Sequence, residues 1–146
     1  MSTDERRLDL RIAGYQFPEM AGHGAAKTDW DDANWLMIAG KVLADFGDAW
    51  SFMEPCMSVF EAQHLGNWLQ QIADGERPDR LDFLEPCLAF TVEAGASPVV
   101  VVKFSHRASR SRRFDEPVGV AFALGTDDLA KAAVEWREEA ARFPPR

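Results

Sequence analysis

The sequence predicts an α+β fold, in which a mainly antiparallel sheet of about six to seven strands carries two amphipathic helices packed on it. Several segments alternate apolar and polar residues with a period of two, which is typical of half-buried strands. Two other segments, at about 58–75 and 126–143, repeat apolar residues at helical spacing. The resulting order is strands, helix, strands, helix, which favours an antiparallel sheet with its helices on one face.

Chain length, composition and net charge limit the class of protein. The chain has 146 residues, nearly half of them apolar, so we expect one folded domain over residues 1–146. Acidic residues exceed basic ones by 24 to 16, and the net charge of −8 argues against general binding to nucleic acid or to an anionic membrane. The same charge allows attraction to a basic partner.

The sequence also predicts a cellular compartment. No apolar run approaches the roughly 20 residues that span a bilayer, and the first residues lack the apolar core of a signal peptide. We therefore expect a cytoplasmic protein. In that compartment the two cysteines, Cys56 and Cys87, are expected to be reduced thiols in the interior.

The first strands are predicted from alternation. Leu8, Leu10 and Ile12 mark a half-buried strand, and the Gly-, Ala- and polar-rich residues 19–28 indicate a loop. A long central strand follows, and its predicted buried face is formed by Leu36, Ile38, Gly40, Val42, Ala44 and Phe46. Residues 45–48 are of types that favour a turn. The second strand of the hairpin contains Trp50 and Phe52 and is predicted to stop near Pro55.

The first helix has recognisable ends. Ser58 and Glu61 form the capping-box pattern, in which each side chain satisfies the other residue's backbone N–H. Its predicted apolar stripe consists of Leu65, Trp68, Leu69 and Ile72. Gly75 is placed to be the residue that terminates the helix.

The second half of the chain repeats this organisation. Residues 81–93, around Pro86, indicate two short strands that meet at a bend or one strand broken by a bulge. Residues 98–104 indicate a strand covered on both faces, and residues 118–124 another strand, joined to it by the arginine-rich tip at 107–117. Thr126 opens the last helix, and Pro144 prevents its continuation.

One short motif occurs twice. Phe52-Met-Glu-Pro-Cys-Met57 and Phe83-Leu-Glu-Pro-Cys-Leu88 share a Phe, a Glu-Pro pair and a Cys at the same spacing. The repeated motif predicts that two strands end or bend in the same way. Its acids, Glu54 and Glu85, suit either paired acid–base chemistry or ordinary salt-bridged and solvated positions, and the latter is the simpler interpretation.

The acidic segment before the central strand allows three interpretations. Asp29, Asp31, Asp32 and Asn34 carry the oxygen ligands that calcium prefers, although the glycine and the distal glutamate of a calcium loop are missing. The same residues suit turns in which Asn34 or Asp32 bonds local backbone amides. Exposed Trp and Asp side by side also suit a protein-binding hot spot.

Other combinations give weaker signals. The two cysteines and the three histidines (His23, His64 and His106) lack zinc-binding spacing, and buried thiols are the simpler interpretation. The arginine-rich tip (Arg107, Arg110, Arg112 and Arg113) suits phosphate or RNA, or a solvated hairpin end. The serine-hydrolase, P-loop, dinucleotide and zinc-protease motifs are all missing, and no cofactor is predicted.

The order of features resembles that of a known family. The quoted segments are Tyr15-Gln-Phe-Pro18, Asp32-Ala-Asn-Trp-Leu36, Trp50-x-Phe52, Trp68-Leu69 and Leu81-x-Phe83-x-Glu85-Pro86. Between Leu8 and Phe104 the chain is similar to the WapI family of bacterial immunity proteins. The resemblance implies a small cytoplasmic protein that neutralises the toxin domain of a contact-dependent, wall-associated toxin. It implies no catalytic residues.

The leading hypothesis is therefore a non-enzymatic protein that binds and occludes a cognate toxin domain, for example an RNase. The predicted contact residues are Asp29, Trp30, Asp31, Asp32 and Glu54, with Trp30 as anchor and the acids as phosphate mimics. Trp35 is expected to pack beneath them. The alternative is a small enzyme or ligand-binding domain with a pocket between sheet and helix, lined by Glu54, Glu85 and His64.

Overall fold

The computed structural model describes residues 1, 6–20, 32–110 and 116–146. In this part of the chain there are two α-helices, α1 (Val59–Ala73) and α2 (Thr126–Ala141). Seven strands accompany them: β1 (Arg7–Tyr15), β2 (Trp35–Leu43), β3 (Ala49–Ser58), β4 (Leu81–Asp82), β5 (Leu88–Glu93), β6 (Val99–Phe104) and β7 (Val118–Ala123).

All strand pairs are antiparallel, which confirms the predicted α+β class. The strands divide between two sheets, with the orders β1-β2-β3 and β4-β5-β6-β7. Helix α1 separates the two runs of strands along the chain, and within each sheet every strand pairs with the next one in sequence. Strand β2 lies in the middle of its sheet, as its two partly covered faces predict.

The buried residues of both sheets and both helices form one contiguous hydrophobic cluster. The sheets meet through aromatic rings: the centroid of Phe104 on β6 lies 5.4 Å from that of Trp50 and 6.0 Å from that of Phe52. Gly40 permits this packing, since a Cβ atom there would lie 2.2 Å from the Phe52 ring. Only glycine at this position leaves room for the Phe52 ring so close to β2.

The two helices pack against each other and against both sheets. The indole nitrogen of Trp136 on α2 donates a 2.7 Å hydrogen bond to the carbonyl oxygen of Ala62 on α1. The Trp68 ring of α1 lies edge-on to Phe90 of β5, with centroids 5.9 Å apart. On the other side, the Glu139 carboxylate accepts a 3.2 Å hydrogen bond from the Ile12 amide of β1.

Both predicted ends of α1 are confirmed. The Ser58 hydroxyl accepts from the Glu61 amide at 3.2 Å, and the Glu61 carboxylate accepts from the Ser58 amide at 3.0 Å. Gly75 has a φ of +93°, and the amides of Gly75 and Glu76 bond the carbonyl oxygens of Ile72 and Gln71 at 3.0 and 2.9 Å. This pair of bonds is a Schellman motif, which satisfies the last carbonyl groups of the helix.

Two strand boundaries differ from the prediction. Strand β3 runs past Pro55 to Ser58, because the β2–β3 register shifts between Leu36 and Ile38 and leaves Pro55 in a bulge of an edge strand. A bulged residue needs no ladder hydrogen bond, so proline is tolerated there. Strand β2 ends at Leu43, and Phe46 does not lie on its buried face.

The later strands settle the alternatives left by the sequence. Residues 81–93 form two strands, β4 and β5, rather than one interrupted strand. Strand β6 is fully buried on one face only: Val100, Val102 and Phe104 are buried, whereas Lys103 on the other face is exposed.

Candidate functional site

The predicted contact residues are only partly covered by the structure. Asp29, Trp30 and Asp31 lie outside the described residues. Asp32 is exposed at the start of a single 3-10 turn that leads into β2, and Glu54 is half-buried on β3. Ser58 pairs with Trp35, so Glu54 lies roughly 13 Å along the hairpin from the start of β2. Asp32 and Glu54 therefore do not share one contact point.

Asn34 connects the start of β2 to the C-terminal end of the chain. It is completely buried, and its side-chain oxygen accepts a 2.7 Å hydrogen bond from the backbone amide of Arg146. Its amide nitrogen has no hydrogen-bond partner among the described residues. Asn34 thus bonds a distant amide rather than a local one, contrary to the turn prediction for this residue.

The Arg146 side chain joins the two chain segments that flank residues 21–31. Its guanidinium donates hydrogen bonds of 2.7 and 3.0 Å to the Ala33 carbonyl oxygen, 2.8 Å to that of Phe17 and 3.0 Å to that of Pro18. The guanidinium carbon also lies 3.8 Å from the centroid of the Tyr15 ring, which is a cation–π contact. No spacing in the sequence pointed to this residue, because its partners lie more than a hundred positions away.

The two Glu-Pro-Cys motifs converge in space. The thiols of Cys56 on β3 and Cys87 before β5 are free, buried and hydrogen-bonded to each other. This hydrogen bond and burial raise the pKa of Cys56, and the carboxylates of Glu54 and Glu85 act on both thiols in the same direction. The same hydrogen bond lowers the pKa of Cys87 instead. Both cysteines are free and buried, as expected from the sequence.

The surroundings of the thiol pair do not form a metal site. Within residues 1, 6–20, 32–110 and 116–146, no three His, Cys, Asp or Glu side chains are placed to hold a metal ion together. The two copies of the motif also differ locally. The first crosses a bulge in β3, whereas the second lies in the turn between β4 and β5, where the Cys87 amide bonds the Glu85 carbonyl oxygen at 2.9 Å.

A pocket of about 350 Å³ lies between β1 and the two helices. Leu65, Leu69, Phe90 and Trp136 contribute apolar groups to it, and Asp9, Glu135, Glu138 and Glu139 contribute carboxylates. The expected pocket between sheet and helix therefore exists, but its lining was predicted wrongly, since Glu54, Glu85 and His64 are not among its residues. His64 lies instead beside Glu61 at a separate depression.

The arginine-rich tip is partly described. Arg110 forms an ion pair with Asp48 in the turn between β2 and β3, while Arg112 and Arg113 lie outside the described residues. The ion pair joins the segment that follows β6 to the turn that precedes β3. Arg110 is therefore not a freely available phosphate ligand.

Comparison with known families gives one match. The model of the immunity protein WapI-like family matches residues 1–144. The chain belongs to this family. The match extends beyond the resemblance between Leu8 and Phe104 and includes all of α2. Membership of the WapI-like family supports an immunity-type role for the protein.

Two other searches were negative. The chain has no match among the curated proteins, and none among the solved structures. Among the described residues of this WapI-like protein, neither helix is both long enough and apolar enough to cross a membrane.

Proposed function

We propose that this WapI-like protein is a non-enzymatic immunity protein that neutralises a cognate toxin domain in the cytoplasm by forming a tight complex with it. The observation that carries the proposal is the family match over residues 1–144. We further propose that the toxin domain is a nuclease. A nuclease surface is basic because it must hold phosphates, and a partner with a net charge of −8 is attracted to it and competes with nucleic acid.

We propose Asp29, Trp30, Asp31, Asp32 and Glu54 as contact residues for the toxin domain. Two features support the acidic segment. Asp32 is exposed, and the chain on either side of residues 21–31 is fixed by the hydrogen bonds of Arg146. Fixed ends reduce the conformational entropy that is lost when a recognition segment binds. Trp30 would serve as the anchor, because Trp is enriched among the residues that contribute most to binding energy.

The alternative, a ligand-binding domain or small enzyme, is favoured by the pocket between β1 and the helices. Its volume of about 350 Å³ falls within the range of small-molecule sites. However, none of the described residues lining it carries a hydroxyl, thiol or imidazole group. Its carboxylates suit either the binding of a cationic ligand or acid–base chemistry. The immunity function is the better-supported proposal because the family match supports it.

Charge reversal of the acidic segment tests the proposed contact residues. In the double variant Asp31→Lys/Asp32→Lys, the Kd for the toxin domain is expected to rise at least about 10-fold, mainly through slower association. The melting temperature should stay within about 2 °C of that of the wild type, because exposed charges contribute little to stability. Surface-based binding kinetics at two salt concentrations, together with thermal denaturation, measure both quantities.

The matched control makes the same change of charge elsewhere. Glu135→Lys/Glu138→Lys alters two exposed acids of α2 and leaves the acidic segment intact. We expect this control to weaken binding much less than Asp31→Lys/Asp32→Lys does. Equal losses in the two double variants would show that only net charge matters, and would remove Asp31 and Asp32 from the interface.

A further inference from the structure

The turn between β2 and β3 holds an aromatic residue in a backbone conformation that suits it poorly. Phe46 has φ 59° and ψ 27°, Gly47 has φ 74°, and the Asp48 amide donates a 3.1 Å hydrogen bond to the Asp45 carbonyl oxygen. These values define a type I′ turn, in which both central residues are left-handed. Asn, Asp or Gly is preferred at the first of these positions, and this chain has Phe.

The Phe46 side chain gains nothing from the fold in return for this strain. Its relative exposure is 106%, the highest among the exposed large hydrophobic residues of the described chain. Leu43, at the end of β2, adds a second partly exposed apolar side chain at the same tip. A bulky residue in the left-handed region is a genuine outlier, and such strain is concentrated at binding sites and switch regions.

Ion pairs hold the strained turn from both sides. Arg6 donates to both carboxylate oxygens of Asp45 at 2.7 and 2.9 Å, and to the carbonyl oxygen of Ala121 on β7 at 2.7 Å. Arg110 pairs with Asp48. The turn is therefore fixed to the second sheet, and Phe46 is presented on a rigid support, which lowers the entropy lost on binding.

The charges beside the ring indicate the kind of partner. The hydrogen bond from Arg6 holds the pKa of Asp45 below its usual range, so this carboxylate is charged at neutral pH. The side chains of Asp45 and Asp48 remain 46% and 35% exposed, although each is paired with an arginine. These two ion pairs leave the tip close to neutral, so the surface that fits it is an apolar cleft. Attraction over a distance comes instead from the net charge of −8 of the whole chain.

We propose that Phe46 is an apolar anchor that inserts into an apolar cleft on the cognate toxin domain. This proposal rests on the proposed immunity function and adds a second contact region to the acidic segment before β2. The two regions lie at opposite ends of β2, so both contribute only if the toxin domain spans the length of this strand. That span is roughly 30 Å for nine residues, which fits an interface of ordinary size.

The variant Phe46→Asn separates a binding role from a structural one. Asn-Gly is the preferred pair for this turn, so the variant is expected to raise the melting temperature by about 2–4 °C. Loss of the anchor is expected to raise the Kd for the toxin domain encoded beside this protein at least about 30-fold. Isothermal titration with a catalytically inactive form of that toxin domain measures the Kd, and the full-length immunity protein is used throughout.

Met53→Ala is the matched control, because Met53 lies on the same hairpin, is 53% exposed and lies within β3, outside the turn. We expect the Kd of Met53→Ala to stay within about twofold of that of the wild type. Wild-type affinity in Phe46→Asn would overturn the anchor and leave the immunity function standing. Absence of binding by the wild-type protein would overturn both proposals. If the free wild-type protein forms concentration-dependent dimers and Phe46→Asn abolishes them, the ring contacts a second copy of this chain. That result would contradict the proposal.

Discussion

Replacing Glu61 with alanine is expected to lower the free energy of unfolding by about 3–4 kcal/mol, or roughly 10 °C in melting temperature. Glu61 is only 6% exposed, and its two carboxylate oxygens accept hydrogen bonds from the amides of Ser58 and Leu84 at 3.0 and 2.8 Å. It therefore caps α1 and also fixes the turn between β4 and β5. Alanine leaves both amides without their acceptor, and unsatisfied buried donors are costly.

Two comparisons separate this role from a general effect of removing charge. Glu61→Gln keeps one acceptor oxygen but places an NH₂ group against the second backbone amide. We therefore expect a loss of unfolding free energy between those of the wild type and Glu61→Ala. Glu135→Gln, at an exposed position of α2, should change the free energy of unfolding by less than about 0.5 kcal/mol. Denaturant unfolding measures all three variants. A loss below about 1 kcal/mol in Glu61→Ala would contradict the bridging role.

Replacing Arg146 with alanine is expected to cost about 2–3 kcal/mol of unfolding free energy. The guanidinium donates to the carbonyl oxygens of Ala33, Phe17 and Pro18 and lies over the ring of Tyr15. These contacts join the end of β1 to the start of β2 through the last residue of the chain. The loss is expected although the side chain belongs neither to a helix nor to a strand.

The control for Arg146 is Arg142→Ala, which removes an exposed arginine just beyond α2. Its expected effect is below about 0.5 kcal/mol. Arg146→Lys keeps the charge but not the forked donor geometry, and it should recover less than half of the loss. Equal stabilities of Arg146→Ala and Arg142→Ala in denaturant unfolding would rule out the clamp between the two segments.

The sequence predicted the features that depend on neighbouring residues. Ser58 and Glu61 mark the start of α1, and Gly75 marks its end, because caps are formed within one or two turns of the chain. The same holds for the hairpin between β2 and β3, in which Val42 pairs with Trp50 and Gly40 with Phe52. Local signals of this kind do not determine how the strands divide between two sheets.

Features that depend on distant residues were missed. Nothing near Glu61 in the sequence shows that its second oxygen binds the amide of Leu84, and nothing near Arg146 indicates its partners at 17, 18 and 33. The thiol pair had a partial signal, since the repeated Phe-x-Glu-Pro-Cys motif marked both cysteines, but spacing alone does not show that the two copies meet.

Phe46 shows why hydrophobic periodicity fails at a turn. It continues the period-two pattern of β2, so alternation predicts a buried residue. The neighbouring Asp45 and Gly47 carry the turn signal that overrides this pattern, and a left-handed φ cannot be read from hydrophobicity. The exposed ring is therefore an exception to the local rules, and such exceptions are where functional residues are expected.

The central claim is that this protein neutralises a toxin by binding it, and co-expression tests that claim most directly. The protein would be expressed together with the C-terminal domain of the toxin encoded beside it, and cell survival and co-purification would be measured. We expect survival and a one-to-one complex that remains intact through size-exclusion chromatography. Continued killing by the toxin, with no complex recovered, would contradict it and shift attention to the pocket between β1 and the helices.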